Sequence, residues 1–179
     1  MNPKLFMLLL GCKPSGRHTE QHDIFFGIAN NLPELKPSIL NFWPEANEKI
    51  HIDAWREVNY VDNHLITPIL QPQQPGNKLF FLNLGGYKPN DFEEYHYKVL
   101  TVADGQTAAI ATAKRTLFFK HFDIPNGHSH IDDKYGIDVD DLYNVEDILP
   151  QGSYHLQVTP DNSGMQDELH IGYLKLSKL

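Results

Sequence analysis

A segment close to the N-terminus recurs in the middle of this chain, and that recurrence constrains the fold more than any other feature. Residues 4–11 read KLFMLLLG, and residues 78–85, which lie 74 positions further on, read KLFFLNLG. When the alignment is extended to residues 4–22 and 78–96, eight of the 19 positions are identical without a gap, where chance gives about one. Because a repeated segment folds as a repeated unit, the sequence predicts two copies of one substructure.

The stretch between the two copies predicts how the chain is divided. Three prolines fall among the glutamines of residues 68–77, a composition typical of a stiff, extended connector. We therefore predict a first repeat at residues 1–70, a Pro/Gln linker at 71–77 and a second repeat at 78–179. A helix covers only one side of a sheet, so the repeats are expected to complete each other's core in one compact, pseudo-symmetric body.

The N-terminal apolar run resembles a short lipoprotein signal that ends at Cys12. One lysine precedes an apolar stretch and a Leu-Leu-Gly-Cys sequence, although secretory signals usually need about 15–30 residues. The second copy of the same run starts in mid-chain, where a signal peptide cannot act. We therefore predict that Leu5–Leu10 is a strand and that Cys12 is an ordinary loop thiol.

Short apolar runs bounded by glycine predict the first strand of each copy, at Leu5–Leu10 and Leu79–Leu84. Residues 22–29 and 96–103 are predicted as the strands that follow them. The remaining strands are predicted as two hairpins, one formed by His51–Val58 and Leu65–Leu70 closing at Asp62-Asn63, and a terminal one at residues 154–158 and 169–173, which flank a turn sequence.

One helix is predicted in each copy. The clearer one spans residues 107–119, where alanines and an apolar face follow a capping Asp104. In the first copy Asn31 resembles a cap, and Pro37 should kink or split the helix. The acidic residues 138–147 are expected to form a loop. The predicted fold class is α+β, with two tandem ββαββ-like repeats that form mainly antiparallel sheet and one helix per repeat packed on a face.

Three strings in the first copy carry a resemblance to a known family: GRHTEQHDIFFG at residues 16–27, FWP at 42–44 and HIDAW at 51–55. Together they resemble an uncharacterised bacterial family, domain of unknown function number 1543. The resemblance implies a cytoplasmic bacterial protein in two tandem copies, and it transfers no catalytic residues. The second copy departs from the pattern, because Asp91 and Phe92 stand where Arg17 and His18 stood.

Charge and cysteine content exclude several classes of protein. The formal net charge of the 179 residues is −8, which argues against a nucleic-acid partner and against a polybasic membrane contact. A single cysteine excludes an internal disulfide and a Cys-rich zinc module. The chain has no Walker A, GxGxxG, HExxH or GxSxG motif, so no cofactor is implied.

The aligned copies share a Glu-x-His pair, Glu20 with His22 and Glu94 with His96. Residues two apart on a strand point the same way, so a carboxylate would lie beside an imidazole. Such a pair acts as an acid–base couple, as part of a ligand or metal site, or as a structural hydrogen bond. The structural interpretation is favoured about two to one by the general excess of structural polar pairs.

The richest polar cluster spans the loop before the second strand and the start of that strand, where Arg17 joins Glu20, His22 and Asp23. A guanidinium on a loop suits a small anionic ligand, such as a carboxylate or phosphate. The alternative is an arginine that closes the loop by pairing with Glu20 or Asp23. His51 and Asp53 are further candidates for the same site, approaching from the next strand.

A weaker metal candidate is the alternating set His128, His130 and Asp132. Two imidazoles and a carboxylate form a known metal arrangement, but alternate residues of one strand lie about 7 Å apart, which is too far for three ligands of one ion. An exposed polar strand face is the preferred interpretation.

No complete catalytic constellation is present, so a non-catalytic binding or assembly module is the first functional hypothesis, with self-association through exposed sheet edges. The alternative is a small hydrolase that uses Glu20, His22 and Asp23 with His51 and Asp53, and Arg17 as its anion anchor. A metal-binding protein is the third hypothesis.

Overall fold

Antiparallel strands make up most of the regular structure in the computed structural model. The structure describes residues 2–46, 49–72, 76–87, 90, 92–121, 138–150, 152 and 154–179. In chain order the strands are β1 (Lys4–Cys12), β2 (Gln21–Ala29), β3 (His51–Glu57), β4 (Tyr60–Val61), β5 (His64–Ile69), β6 (Lys78–Tyr87), β7 (Glu94–Ala103), β8 (Asp138–Asn144), β9 (His155–Pro160) and β10 (His170–Lys175).

The described residues contain two α-helices, α1 (Lys36–Phe42) and α2 (Gln106–His121). A 3-10 turn at Leu32–Leu35 precedes α1, and the Asn31 side chain caps that turn by accepting a hydrogen bond from the Glu34 N–H. The predicted split is confirmed, because Pro37 lies in the first turn of α1, where its missing N–H costs nothing. Further 3-10 turns lie at Pro44–Ala46, Val145–Ile148 and Leu176–Lys178. The fold is therefore α+β.

The backbone forms two structural units. The first comprises Met1–Gln73 together with Ile148–Leu179, and the second comprises Gln74–Asp147. The stretch 78–179 that the sequence suggested as a second repeat is therefore shared between the units, since its last part belongs with the N-terminal strands.

The first unit contains a four-stranded sheet in the order β10-β3-β1-β2 and a three-stranded sheet in the order β4-β5-β9. Neighbouring strands are antiparallel in both. β9 and β10 do not pair with each other, so the predicted terminal hairpin is wrong. The turn sequence connects two strands that have other partners: β9 pairs with β5, and β10 pairs with β3. Each of them bonds to the backbone groups along the edge of its partner strand.

The second unit contains a three-stranded antiparallel sheet in the order β7-β6-β8. Its β8 covers most of the acidic segment predicted as a loop, and that prediction is wrong. Aspartate has a low intrinsic preference for strands, but pairing with the exposed edge of β6 overrides it.

The four-stranded sheet of the first unit and the sheet of the second unit have matching strand registers. Lys4 pairs with Ala29 on β1 and β2, and Lys78 pairs with Ala103 on β6 and β7, so partners keep the offset of 74 residues along the whole ladder. The pairing of β1 with β3 slips between Leu9 and Leu10, and the pairing of β6 with β8 slips at the equivalent step.

A helical segment packs on one face of the four-stranded sheet and another on one face of the second unit's sheet. In the first unit Leu35 and Ile39 join a core built on Leu8, Leu10 and neighbouring apolar side chains. In the second unit Ala109 and Ala113 of α2 pack against the apolar side chains of β6. Burial of these faces provides the main driving force for each sheet to fold.

The turn predicted at Asp62-Asn63 is present, but the strand before it differs from the prediction. β3 pairs with β1 and β10, and the two-residue turn connects the short β4 to β5. Both turn residues have positive φ angles, 48° and 58°. These values fit the tight hairpin turn whose backbone matches the twist of the strands.

Candidate functional site

One end of the first unit's main sheet brings four polar side chains together around Gly11. In the strand register Gly11 lies opposite His22 on β2 and opposite His51 on β3. A Cβ placed on Gly11 would overlap His51 Nε2 and Asp53 Oδ2. The absence of a side chain at residue 11 therefore leaves the room that the two side chains occupy.

A β-bulge places Asp53 in this group. Leu9 pairs with Ala54 and Leu10 pairs with Ile52, so Asp53 is the extra residue of β3. The pairing of β10 with β3 is also interrupted at this point. Bulges bend a strand and redirect its side chains, and they are frequent beside functional sites.

The four side chains, Glu20, His22, His51 and Asp53, are called the first cluster. His22 Nε2 lies 3.1 Å from Asp53 Oδ2, and His51 Nε2 lies 3.1 Å from Glu20 Oε1. His51 Nε2 is also 3.3 Å from Asp53 Oδ1, and His22 Nε2 is 3.8 Å from Glu20 Oε2. Each imidazole therefore faces both carboxylates through the same type of ring nitrogen.

Burial differs across the first cluster. The His51 side chain is only 9% exposed and the Asp53 side chain 25%, whereas those of Glu20 and His22 are 45% and 42% exposed. The Tyr173 ring lies against His51 with 4.4 Å between ring centroids. The cluster thus has a closed side, made by His51 and Asp53, and a side open to solvent.

Asp53 Oδ2 is buried and accepts no hydrogen bond from the described residues, although His22 Nε2 is within ion-pair distance. A buried polar oxygen normally has a partner, because leaving it without one costs about 1–3 kcal/mol.

The second unit carries an equivalent group, Glu94, His96 and Asp140, called the second cluster. Gly85 lies opposite His96, and Asp140 is the extra residue of β8 at the same bulge. A Cβ on Gly85 would overlap the Asp140 carboxylate. His96 Nε2 lies 3.3 Å from Asp140 Oδ2, and one ligand atom from each of the three residues lies within 4.8 Å of the others.

Two of the predicted site residues lie outside the first cluster. The Asp23 side chain accepts a hydrogen bond from the N–H of Ile24, and strand alternation turns it away from its neighbour His22. The Arg17 side chain is exposed and makes no ion pair or hydrogen bond within the described part of the chain; only its backbone N–H donates, to Pro14.

The weaker metal candidates cannot be placed, since His128, His130 and Asp132 lie outside the described residues. Asp140 was missed because the acidic segment was predicted as a loop. A signal for it exists in the sequence: Ile52-Asp53 on β3 and Val139-Asp140 on β8 are matching apolar–Asp pairs.

Cys12 ends β1 and is fully buried, with Sγ 3.9 Å from the Ala46 carbonyl oxygen. Burial raises the pKa of this thiol, and nearby Lys49 lowers it in part while Glu20 raises it further. A protonated, buried thiol is a packing group and a poor nucleophile.

Comparisons with known proteins agree with the fold and leave the activity open. A family model described as Domain of Unknown Function (DUF1543) matches residues 17–67, a range that includes all four residues of the first cluster. The crystal structure of protein Il1583 from Idiomarina loihiensis is similar to this chain, with a TM-score of 0.69 and 21% sequence identity over 98% of each chain. No curated protein matches. Within the described residues, no helix combines the length and apolar character needed to cross a membrane.

Proposed function

We propose that this protein is a non-catalytic binding module whose ligand is a divalent transition-metal ion, held by Glu20, His22, His51 and Asp53. The observation that carries the proposal is the convergence of two imidazole Nε2 atoms on two carboxylates at 3.1–3.3 Å. Imidazole and carboxylate are the ligands that Zn²⁺ and similar ions take from proteins.

The spacing of these atoms suits a metal ion. Ligand atoms about 2.0–2.2 Å from Zn²⁺ lie about 3.0–3.5 Å from one another around a tetrahedral or octahedral centre. Three of the four contacts in the first cluster fall in that range, and the fourth is 3.8 Å. The fourth contact joins the two exposed side chains, His22 and Glu20.

Charge supports the same ligand. The two carboxylates of the first cluster carry a formal charge of −2, which a divalent cation neutralises. In the part of the chain that the structure describes, the buried Asp53 Oδ2 accepts no hydrogen bond. A cation would supply the missing partner, and buried carboxylates are generally either paired or bound to metal.

We further propose that the two units derive from tandem ββαββ-like repeats. The support is the common register of β1–β2 and β6–β7 and the common bulge that carries Asp53 and Asp140. Retention of Gly11 with its counterpart Gly85 beside these aspartates supports a binding role more than a purely structural one, because both glycines make room for a carboxylate.

The hydrolase alternative has weaker support. It requires Arg17 as an anion anchor, and within the described residues the Arg17 side chain makes no ion pair or hydrogen bond with the first cluster. Asp23, its third carboxylate, is engaged by a neighbouring backbone N–H.

The test is isothermal titration calorimetry of chelator-treated protein with ZnCl₂. We expect binding, and we expect His22→Ala and Asp53→Asn each to weaken it by about tenfold or more. His18→Ala is the matched control, because it removes an exposed imidazole from the loop that also carries Glu20. Within the described residues, the His18 side chain makes no contact with the first cluster.

Folding of each variant is checked by circular dichroism, so that loss of structure is not read as loss of a ligand. The proposal is overturned if the folded wild-type protein binds no Zn²⁺, or if His22→Ala and Asp53→Asn bind Zn²⁺ as tightly as His18→Ala does.

A further inference from the structure

We propose that the second cluster, Glu94, His96 and Asp140, is a second divalent-cation site, weaker for Zn²⁺ and less selective for Zn²⁺ over Mn²⁺ than the first. The inference deepens the proposed function, because it takes the first cluster as the reference metal site. It adds a separate location, a different ligand set and a different ion preference.

The second cluster has the same construction as the first. His96 holds the register position of His22, and Asp140 holds the bulged position of Asp53. Gly85 leaves room for the Asp140 carboxylate, as Gly11 does for Asp53. Two strand edges, a bulge and a glycine therefore bring the same residue types together twice in one chain.

The three side chains are close enough to share one ion. His96 Nε2 is 3.3 Å from Asp140 Oδ2, and one ligand atom of each residue lies within 4.8 Å of the other two. The 3.3 Å contact has the length expected between neighbouring ligands of a bound ion. The group contains an imidazole as well as carboxylates, so its chemistry is that of a transition-metal site.

One difference sets the ion preference. Gly11 pairs with His51 in the first unit, whereas Gly85 pairs with Asp138 in the second. The second site therefore has one imidazole where the first has two. Imidazole favours Zn²⁺, while carboxylate and water ligands suit Mn²⁺ and Mg²⁺. A site with one imidazole fewer thus has a lower preference for Zn²⁺.

Exposure predicts lower affinity. The His96 and Asp140 side chains are 38% and 32% exposed, and Glu94 is also exposed, whereas the first cluster has the nearly buried His51. Exposed ligands lose more conformational freedom on binding, and solvent competes with them for the ion. We expect Zn²⁺ to bind about tenfold or more weakly here than at the first cluster.

The experiment uses the full chain in two titrations, ZnCl₂ by calorimetry and MnCl₂ by the electron paramagnetic resonance signal of free Mn²⁺. Wild-type protein should give two classes of Zn²⁺ site. His96→Ala and Glu94→Gln should remove the weaker class and most Mn²⁺ binding. Glu93→Gln is the matched control, because it neutralises the adjacent exposed carboxylate and should change neither titration.

The outcomes separate the two proposals. If His22→Ala removes a Zn²⁺ site but His96→Ala and Glu94→Gln titrate like wild type, the second site is overturned and the first stands. If all Zn²⁺ binding depends on His96 and none on His22, the second site stands and the proposed function fails. If folded wild-type protein binds neither ion, both are overturned.

Discussion

At the scale of single residues, Gly11 decides whether the first cluster can form. Any side chain there would overlap His51 Nε2 and Asp53 Oδ2. We expect Gly11→Ala to weaken Zn²⁺ binding by about tenfold or more, and to lower the free energy of unfolding by about 1–3 kcal/mol. Zinc calorimetry and urea denaturation measure the two effects.

Gly105→Ala is the control for this change, because a Cβ on Gly105 meets no atom of the described residues within 4 Å. It should leave Zn²⁺ affinity unaltered. Equal Zn²⁺ affinity in Gly11→Ala and Gly105→Ala would contradict the role assigned to residue 11.

The buried Cys12 predicts a loss of stability at alkaline pH. Burial raises the pKa of this thiol above its ordinary value of 9.0. The unfolded chain therefore releases the proton first, so the thiol's contribution is complete below about pH 9 and is lost as pH rises toward the folded pKa. Urea denaturation between about pH 8 and 10 should show a shallower alkaline decline for Cys12→Ala than for wild type.

Iodoacetamide provides an independent check on the same thiol. Alkylation of the folded protein should be slow at neutral pH and should accelerate strongly in urea, because the thiol is both buried and protonated. Equal rates in the two conditions would show that Cys12 is accessible.

At the scale of elements, Asp167 ties the segment before β10 to the connection between β3 and β4. Its Oδ1 accepts hydrogen bonds from the N–H groups of Asn59 and Tyr60, and its side chain is only 1% exposed. Arg56 Nη1 lies 4.0 Å from Oδ2, and burial lowers the pKa of Arg56 while Asp167 partly restores it. Nothing in the local sequence around Asp167 indicated this role.

Asp167→Asn should therefore destabilise the protein. It keeps an oxygen acceptor for the two N–H groups but removes the charge that compensates the partly buried guanidinium of Arg56, at a cost of about 1–3 kcal/mol. Glu168→Gln is the control, since its side chain is 82% exposed, and a change there should stay within about 0.5 kcal/mol. Urea denaturation that ranks the two variants equally would contradict this account.

The turn between β4 and β5 gives a second prediction for an element. Asn63 has a φ of 58°, a conformation that asparagine and glycine tolerate and most residues avoid. We expect Asn63→Ala to cost about 1 kcal/mol and Asn63→Gly to be close to neutral. Thermal unfolding should follow that order, and an alanine variant as stable as the glycine variant would contradict it.

Local patterns predicted the elements that depend on local chemistry. Apolar runs gave β1 and β6, the Asn31 cap and Pro37 gave the broken helix, and Asp62-Asn63 gave the turn. β8 was missed because its aspartates favour loops, and only the edge of β6 makes it a strand.

The candidate site was also predictable only in part. Spacing identified Glu20, His22, His51 and Asp53 as candidates, because residue types and strand alternation are visible in the sequence. Their convergence depends on the bulge at Asp53 and on two strand registers. No sequence rule locates a bulge, so the contacts that define the site required the structure.

At the scale of the whole molecule, the C-terminal segment belongs with the N-terminal strands. β10 forms the edge of the sheet that carries the first cluster, and its Tyr173 ring lies on His51. Leu176, which follows β10, is 4% exposed within the core of the first unit. The first unit can therefore be completed only when the end of the chain is present.

Truncation after Glu168 tests this dependence. It removes β10 and Leu176, which exposes an edge of β3 and leaves a gap in the first core; loss of one buried leucine side chain alone costs about 2–5 kcal/mol. Hydrogen exchange read by mass spectrometry should show faster exchange in β1, β2 and β3. The β6–β8 sheet should keep its protection, because none of its described strand pairings involves β10.

Ile171→Ser in the full chain is the control: that side chain is 82% exposed, so exchange in β1–β3 should be unchanged. Protection retained in β1–β3 after truncation would mean that the N-terminal strands fold without the C-terminal segment.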